Sequence, residues 1–268
     1  MFAHTSIPAS EDSLPPRQML LLDLDQNLVH VAHSPDDRSF LSASAELHLD
    51  KTSITNVSLF GPRPSEDEDE VINNEPGNQI YAICKPEWTT VFEKIIAVNH
   101  RYRELNPVDT LPLIDVKILT LANYNRIKFM EDVFSKIYGE KLTNQLFRSG
   151  EYYFYNYESQ VVTKTVNDKG GCMSIYFFNW KYDLPGLTTD RVYLVDDNSQ
   201  NIVSARKYGF SAIHHPTNPK CRKPGTSYAK EKDGVFKQLH DIIAVAEKYC
   251  DDLAAAPAVS KESTNALK

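Results

Sequence analysis

The sequence predicts an α/β fold built on a mostly parallel central sheet with helices on both faces. Three observations predict it. The runs QMLLLDLD, DVKILTLA and RVYLVDD are short and almost continuously apolar, the pattern of strands buried on both faces. Segments of helical period alternate with them, and such alternation defines an α/β sheet. Two of the runs end on acids and DVKILTLA nears its end at Thr120, and ligands of such sheets sit at the carboxyl ends of the strands.

The elements follow in order. Residues 1–16 are polar and proline-containing and read as a flexible N-terminal arm. QMLLL is the first strand. Ala45 to Leu49 and Ile54 to Phe60 alternate in polarity and suggest a small β-hairpin inside an insert covering about residues 34–80. GPRPSEDEDEVINNEPGN is an exposed loop and QIYAIC a further strand. Pro86 opens a helix whose Trp88, Val91, Phe92, Ile95 and Ile96 share one face. DVKILTLA is a strand. Asn125 caps a helix with Ile127, Met130, Val133, Phe134 and Ile137 aligned. Residues 149–172 are aromatic and polar without a clean period. RVYLVDD is a strand, and SQNIVSARKYG a short helix that stops at Gly209. Residues 216–232 make a basic loop. A last helix runs from Asp233 to about Asp252 with Val235, Phe236, Leu239, Ile242 and Ile243 inward. One domain therefore spans residues 17–254, and 255–268 form a disordered tail.

Composition narrows the classes. The chain has 268 residues, 41% hydrophobic and 24% charged, enough to bury a core of useful size. With 29 basic and 36 acidic side chains the net charge is -7, so bulk charge draws it to neither nucleic acid nor an anionic membrane. Cys84, Cys172, Cys221 and Cys250 contain no CxxC spacing and read as free thiols of a reducing compartment. The N-terminus lacks a basic segment followed by an apolar one, and no apolar run reaches membrane-spanning length. The expectation is a cytoplasmic protein, with signal-free export as the alternative.

The strand ends carry the chemistry. The first strand ends in Asp23-Leu24-Asp25, the second parallel strand at Thr120, and the third in Asp196-Asp197. Four carboxylates on one edge repel one another unless a cation joins them. Mg²⁺ is a hard ion that takes oxygen ligands, and when held by few carboxylates it commonly serves a phosphate. Acidic pairs alone are common in solvated turns. At the ends of apolar strands, in this order, they are far more specific.

DLDQNLVH resembles the first motif of the haloacid dehalogenase superfamily, DxDx followed by Thr or Val, and its LVH continuation resembles the branch of phosphatases of the RNA polymerase carboxy-terminal domain. CKPEWTTVFEKI, KILTLANY and KYDLPGLTTDRVYLVDDN resemble that branch's later motifs. The resemblance covers about residues 18–30, 81–135 and 175–215. It implies a Rossmann-like fold and a Mg²⁺-dependent phosphomonoesterase working through a phospho-aspartate. Asp23 would be the nucleophile and Asp25 the general acid, then base. Thr120 would hydrogen-bond a phosphoryl oxygen and Lys181 would neutralise its charge. Asp197 would hold the metal beside Asp23, with Asp196 as ligand or neighbour and Asp25 adding its backbone carbonyl. The sequence departs from the motif at Asn27, where Thr or Val is expected; an asparagine there still bonds nearby backbone groups. Lys181 precedes Asp196 by 15 residues, which fits the branch's short spacing, with Lys164 and Lys169 as alternatives.

Other features admit two readings. The acidic run at residues 65–70 is a solvated loop or a lip for basic peptide flanks. His30 and His33 are structural or near-site residues rather than metal ligands. EYYFYNY, with five aromatics in seven positions, lines a pocket for an aromatic phosphoester or packs beneath a loop. A hairpin-sized insert leaves the cleft open, which suits a phosphoprotein or phosphopeptide substrate. A small phosphorylated metabolite is the alternative substrate, and a non-catalytic protein-binding module of the same fold the alternative class. A signalling receiver domain ranks far below, because its acid pair closes the first strand rather than the last.

Overall fold

The computed structural model describes residues 14–23, 27–32, 54–58, 79–84, 86–120, 138–140, 153–154, 168–215 and 228–256. Its centre is a parallel sheet. Strand β1 (Gln18–Leu22) lies between β5 (Ile114–Thr120) and β7 (Val192–Asp196), and β8 (Ser211–His214) flanks β7. The two-residue β6 (Tyr153–Phe154) extends the sheet beside β5, and every pairing in it is parallel. The α/β, Rossmann-like architecture expected from the alternation of strands and helices is therefore the one observed.

Among the described residues four helices cover this sheet: α1 (Pro86–Leu105), α2 (Lys169–Asp183), α3 (Ser199–Lys207) and α4 (Tyr228–Ala255). All five residues of β1 are buried, and alternate side chains enter different cores. Leu20 and Leu22 join Trp88, Phe92 and Ile95 of α1 and Leu239 and Ile243 of α4. Met19 and Leu21 join Met173 and Trp180 of α2 and Ile202 and Ala205 of α3. A central strand dry on both faces is thus the physical reason for its unbroken apolar run. Each large apolar side chain so buried contributes about 1.5–3 kcal/mol of transfer free energy.

The elements agree with the sequence in most places. The inward residues expected for α1 and α4 are buried, with Ile96 partly so. α4 begins at Tyr228, five residues before the expected start. α3 ends at Lys207 and Gly209 takes φ +83°, the left-handed conformation glycine allows without a Cβ clash. Of the expected hairpin only part of the second strand falls within the described residues. β3 (Ile54–Ser58) pairs antiparallel with β4 (Gln79–Cys84), which also pairs with β2 (Val29–Ala32), giving a separate sheet of order β2-β4-β3. Residues 45–49, the acidic run at 65–70 and the helix after Asn125 lie outside the described residues.

The end of the sheet away from the acids is locked by Arg17. Its buried guanidinium donates to the carbonyls of Pro112 (2.7 Å) and Pro185 (3.1 Å) and pairs with Asp109. Tyr102 also donates to Asp109, at 2.6 Å. Cys172 and Cys250 are buried free thiols. Among the described residues no helix is long and apolar enough to cross a membrane.

Candidate active site at the carboxyl edge of the sheet

The site begins where β1 and β7 run out. Asp23 follows β1 directly, and its N–H still donates to Val195 O at 3.0 Å, so the strand ladder carries it to the edge in fixed register. Asp196 closes β7 and Asp197 follows. The N–H of His215 donates to Asp196 O at 2.9 Å and prolongs the β7–β8 ladder in the same way. Carboxylate oxygens of Asp23, Asp196 and Asp197 lie within 4.8 Å of one another. Thr120 closes β5 on the same edge. Asp25 lies outside the described residues.

The two acids of the DD pair have different surroundings. Asp196 is fully buried. One of its oxygens accepts from Asn198 N at 2.7 Å, the other from Lys169 Nζ at 2.6 Å, and Asn201 Nδ2 reaches both at 3.2 and 3.1 Å. Those donors come from the first turn of α3 and the start of α2, so Asp196 ties both helices to the sheet edge. Asp197 is only half-buried, and its carbonyl oxygen lies 2.9 Å from His214 Nε2.

Lys169 is the cation of this cluster. It is buried, and its Nζ donates to Asp23 Oδ1 at 2.5 Å as well as to Asp196. Its placement follows from local structure. Asp168 caps α2 by accepting from Gly171 N at 2.7 Å, and the Ser204 hydroxyl of α3 donates to the same carboxylate. Between them Gly170 lets α2 press directly on α3. A Cβ there would stand 2.6 Å from Ala205 N and closer still to Ser204. The first turn of α2 is therefore clamped with Lys169 facing the acids. Gly170→Ala is expected to destabilise the fold by about 1–3 kcal/mol, since the obstructing atoms include backbone. Thermal unfolding of the variant measures this.

Lys181 does not reach the acids. It sits in the last turn of α2, exposed, three helical turns beyond Lys169. The sequence offered Lys169 only as an alternative, and Lys164 lies outside the described residues. The lysine expectation is corrected accordingly: a helix that starts at the sheet edge brings its first residue, not its last, to the carboxylates. Helix α2 itself was missed because Gly170 and Gly171 disfavour helix and its aromatic residues surround it. Asp168 before that segment was the readable start signal.

Charge at the site is unbalanced. Burial pushes the Asp23 carboxyl up to about 7, with negative Asp196 and Asp197 adding to the rise and the Lys169 ammonium opposing it. For Lys169, burial works against the charged form, but Asp23 and Asp196 outweigh it and hold the ammonium above its ordinary value. Among the described residues the Lys169 ammonium is shared between Asp23 and Asp196, with an Asp197 oxygen within 4.8 Å of theirs, and a further cation would relieve the repulsion among the three acids. The donor set of that cluster is all hard carboxylate oxygen, so its chemistry fits Mg²⁺.

Asn27, the departure from the motif, is fully buried and engaged. Its Nδ2 donates to Asp23 O at 2.9 Å and Val195 O at 3.0 Å, and its Oδ1 lies 2.6 Å from His215 Nδ1. Asn201 and His215 went unnoticed in the sequence. Asn201 had a signal, since it sits just over one helical turn after Asp196. His215 had only its position after a strand. The side chains of His30, His33 and the aromatic run at 151–157 lie outside the described residues.

No protein-family model matches the chain, and no curated protein matches it. Among solved structures, a predicted HAD-like family hydrolase from Porphyromonas gingivalis is similar at 18% identity and a TM-score of 0.33, over 76% of this chain and 93% of that one. A likeness of that degree carries no weight for the function of this chain.

Proposed function

We propose that this chain is a phosphomonoester hydrolase of the haloacid dehalogenase type, acting through a phospho-aspartate on Asp23. The observation that supports it most is Lys169, buried and bonded to both Asp23 and Asp196, with Asp197 beside them at the carboxyl edge of a parallel sheet. A solvated acidic turn would not bury a lysine.

In this reading Asp23 attacks phosphorus and the bond to the leaving oxygen breaks. Asp25, protonated, gives that oxygen its proton. Water then attacks the acyl phosphate, Asp25 takes the water's proton, and Asp23 and inorganic phosphate are regenerated. Lys169 offsets charge on the phosphoryl group and on Asp23 throughout. Thr120, at the end of β5, takes the role of a phosphoryl-oxygen donor. Asp23 and Asp197 would hold Mg²⁺, with Asp196 already engaged by its donors and serving as their support. When bound, the ion would offset charge that develops during transfer. We extend the substrate class to phosphoprotein or phosphopeptide, on the motif resemblance to the carboxy-terminal-domain phosphatases.

The test is phosphate release from an aryl phosphate with Mg²⁺ and with EDTA, followed by phosphotyrosine peptides, phosphoserine peptides and sugar phosphates. Activity is expected with Mg²⁺ and loss of it with EDTA. Preference for sugar phosphates would move the substrate class to small metabolites. No release from any phosphoester would sink the hydrolase reading in favour of a binding module.

A further inference from the structure

The carboxamide of Asn27 has one possible orientation. Its nitrogen faces two carbonyl oxygens, those of Asp23 and Val195, so its oxygen faces His215 and the His215 proton is on Nδ1. The imidazole is fully buried, edge-on to Trp88 (centroids 6.0 Å apart) and to Phe236 (5.8 Å). Trp88 Nε1 also donates to Asn27 O at 3.3 Å. From His215 the main-chain N–H reaches Asp196 O at 2.9 Å. Asp196 and Asp23 are joined on the other side by Lys169. The bonds close a ring: Asp23, Asn27, His215, Asp196, Lys169 and back to Asp23. It encloses the point where β1 and β7 release their acids.

We propose that Asn27 and His215 are positioning residues that fix the offset between Asp23 and Asp196, and with it the seat of Lys169. The rate consequence rests on the phosphatase reading; the geometric consequence does not. Both residues are fully buried and His215 also packs against the core residues Trp88 and Phe236, so stability is read separately from positioning. Asn27 bonds the backbone of both acid-bearing segments, at Asp23 O and Val195 O, while His215 bonds the backbone of Asp196 and holds the Asn27 carboxamide. A misplacement of reacting groups of about 1 Å is enough to lower a rate roughly 10²-fold.

The experiment compares His215→Ala, Asn27→Leu and His215→Asn with the parent chain. An asparagine at 215 places an amide nitrogen near the position of the imidazole Nδ1 and restores the donor. Three readouts are taken: kcat and KM on an aryl phosphate, the melting temperature, and the ¹⁵N signal of the Lys169 ammonium in the metal-free protein. His215→Ala and Asn27→Leu are expected to lower kcat about 10–100-fold with KM within about twofold, and to shift or lose the Lys169 signal. His215→Asn should keep both near the parent values. Lower melting temperatures with unchanged kcat and an unchanged Lys169 signal would assign the pair a merely structural role and overturn the proposal. Should the first two variants fail to fold, a folded His215→Asn that retains the Lys169 signal supports the proposal and one that loses it overturns it. If the parent chain hydrolyses no phosphoester, the phosphatase reading fails, and the Lys169 signal still decides the positioning.

Discussion

Replacing Lys169 by methionine is expected to lower kcat on an aryl phosphate roughly 10²–10³-fold, the range found when one donor to developing charge is removed. Lys181→Met is expected to change it by less than about twofold. The contrast follows from placement, since Lys169 bonds Asp23 and Asp196 while Lys181 is exposed at the far end of the same helix. Stability should separate the two variants as well. Methionine fills much of the lysine's volume but leaves Asp23 and Asp196 buried without their cation. Removing one partner of a buried ion pair costs about 3–5 kcal/mol, so the melting temperature falls clearly for Lys169→Met and little for Lys181→Met. Added Mg²⁺ should recover part of that loss, because a cation between Asp23 and Asp197 offsets the same repulsion. Equal kcat for Lys169→Met and the parent chain would remove the lysine from the mechanism.

The fold was legible in the sequence wherever burial imposes a pattern. β1 and β7 read as continuous apolar runs because their side chains enter two cores at once, and α1 and α4 read as stripes because each faces one. The acids Asp23, Asp196 and Asp197 were legible for the same reason, since strand ends are fixed once the strands are. Legibility failed where a residue is placed by helix–helix contact. The seat of Lys169 depends on Gly170 lying against Ser204 and on Asp168 accepting from Ser204, and these partners are far apart along the chain. Spacing along the chain therefore favoured Lys181, although only the start of α2 touches the sheet edge. Asn27 shows a subtler limit. Its residue type suggested a backbone hydrogen bond, and it makes two, but its partner His215 comes from the far side of β7. No local pattern links positions 27 and 215.

Asp23→Asn should separate activity from stability in the opposite sense to Lys169→Met. The nucleophile is lost, so kcat is expected to fall at least about 10⁴-fold. The fold, however, should gain. The Asp23 carboxyl is raised from 3.8 to about 7, first by burial and then by Asp196 and Asp197 against the pull of Lys169. A carboxyl with a raised value in the folded state holds its proton there while the unfolded chain has lost it. Stability of the metal-free parent is therefore lost as pH climbs from about 4 to about 7, on the order of a few kcal/mol at most. Asparagine carries no such charge. It can turn its oxygen to Lys169 and its amide nitrogen toward Asp197, and Lys169 keeps Asp196. The melting temperature of the variant should thus match the parent near pH 3, where the aspartate is protonated in both the folded and the unfolded chain, and exceed it by a growing margin up to about pH 8. Mg²⁺ should narrow the gap at pH 8 by stabilising the parent more than the variant, whose site has lost one carboxylate. Parent-like activity in Asp23→Asn would sink the phospho-aspartate mechanism. A variant less stable than the parent at pH 8 would mean that the Asp23 charge is satisfied in the folded chain, and that the acids need no further cation.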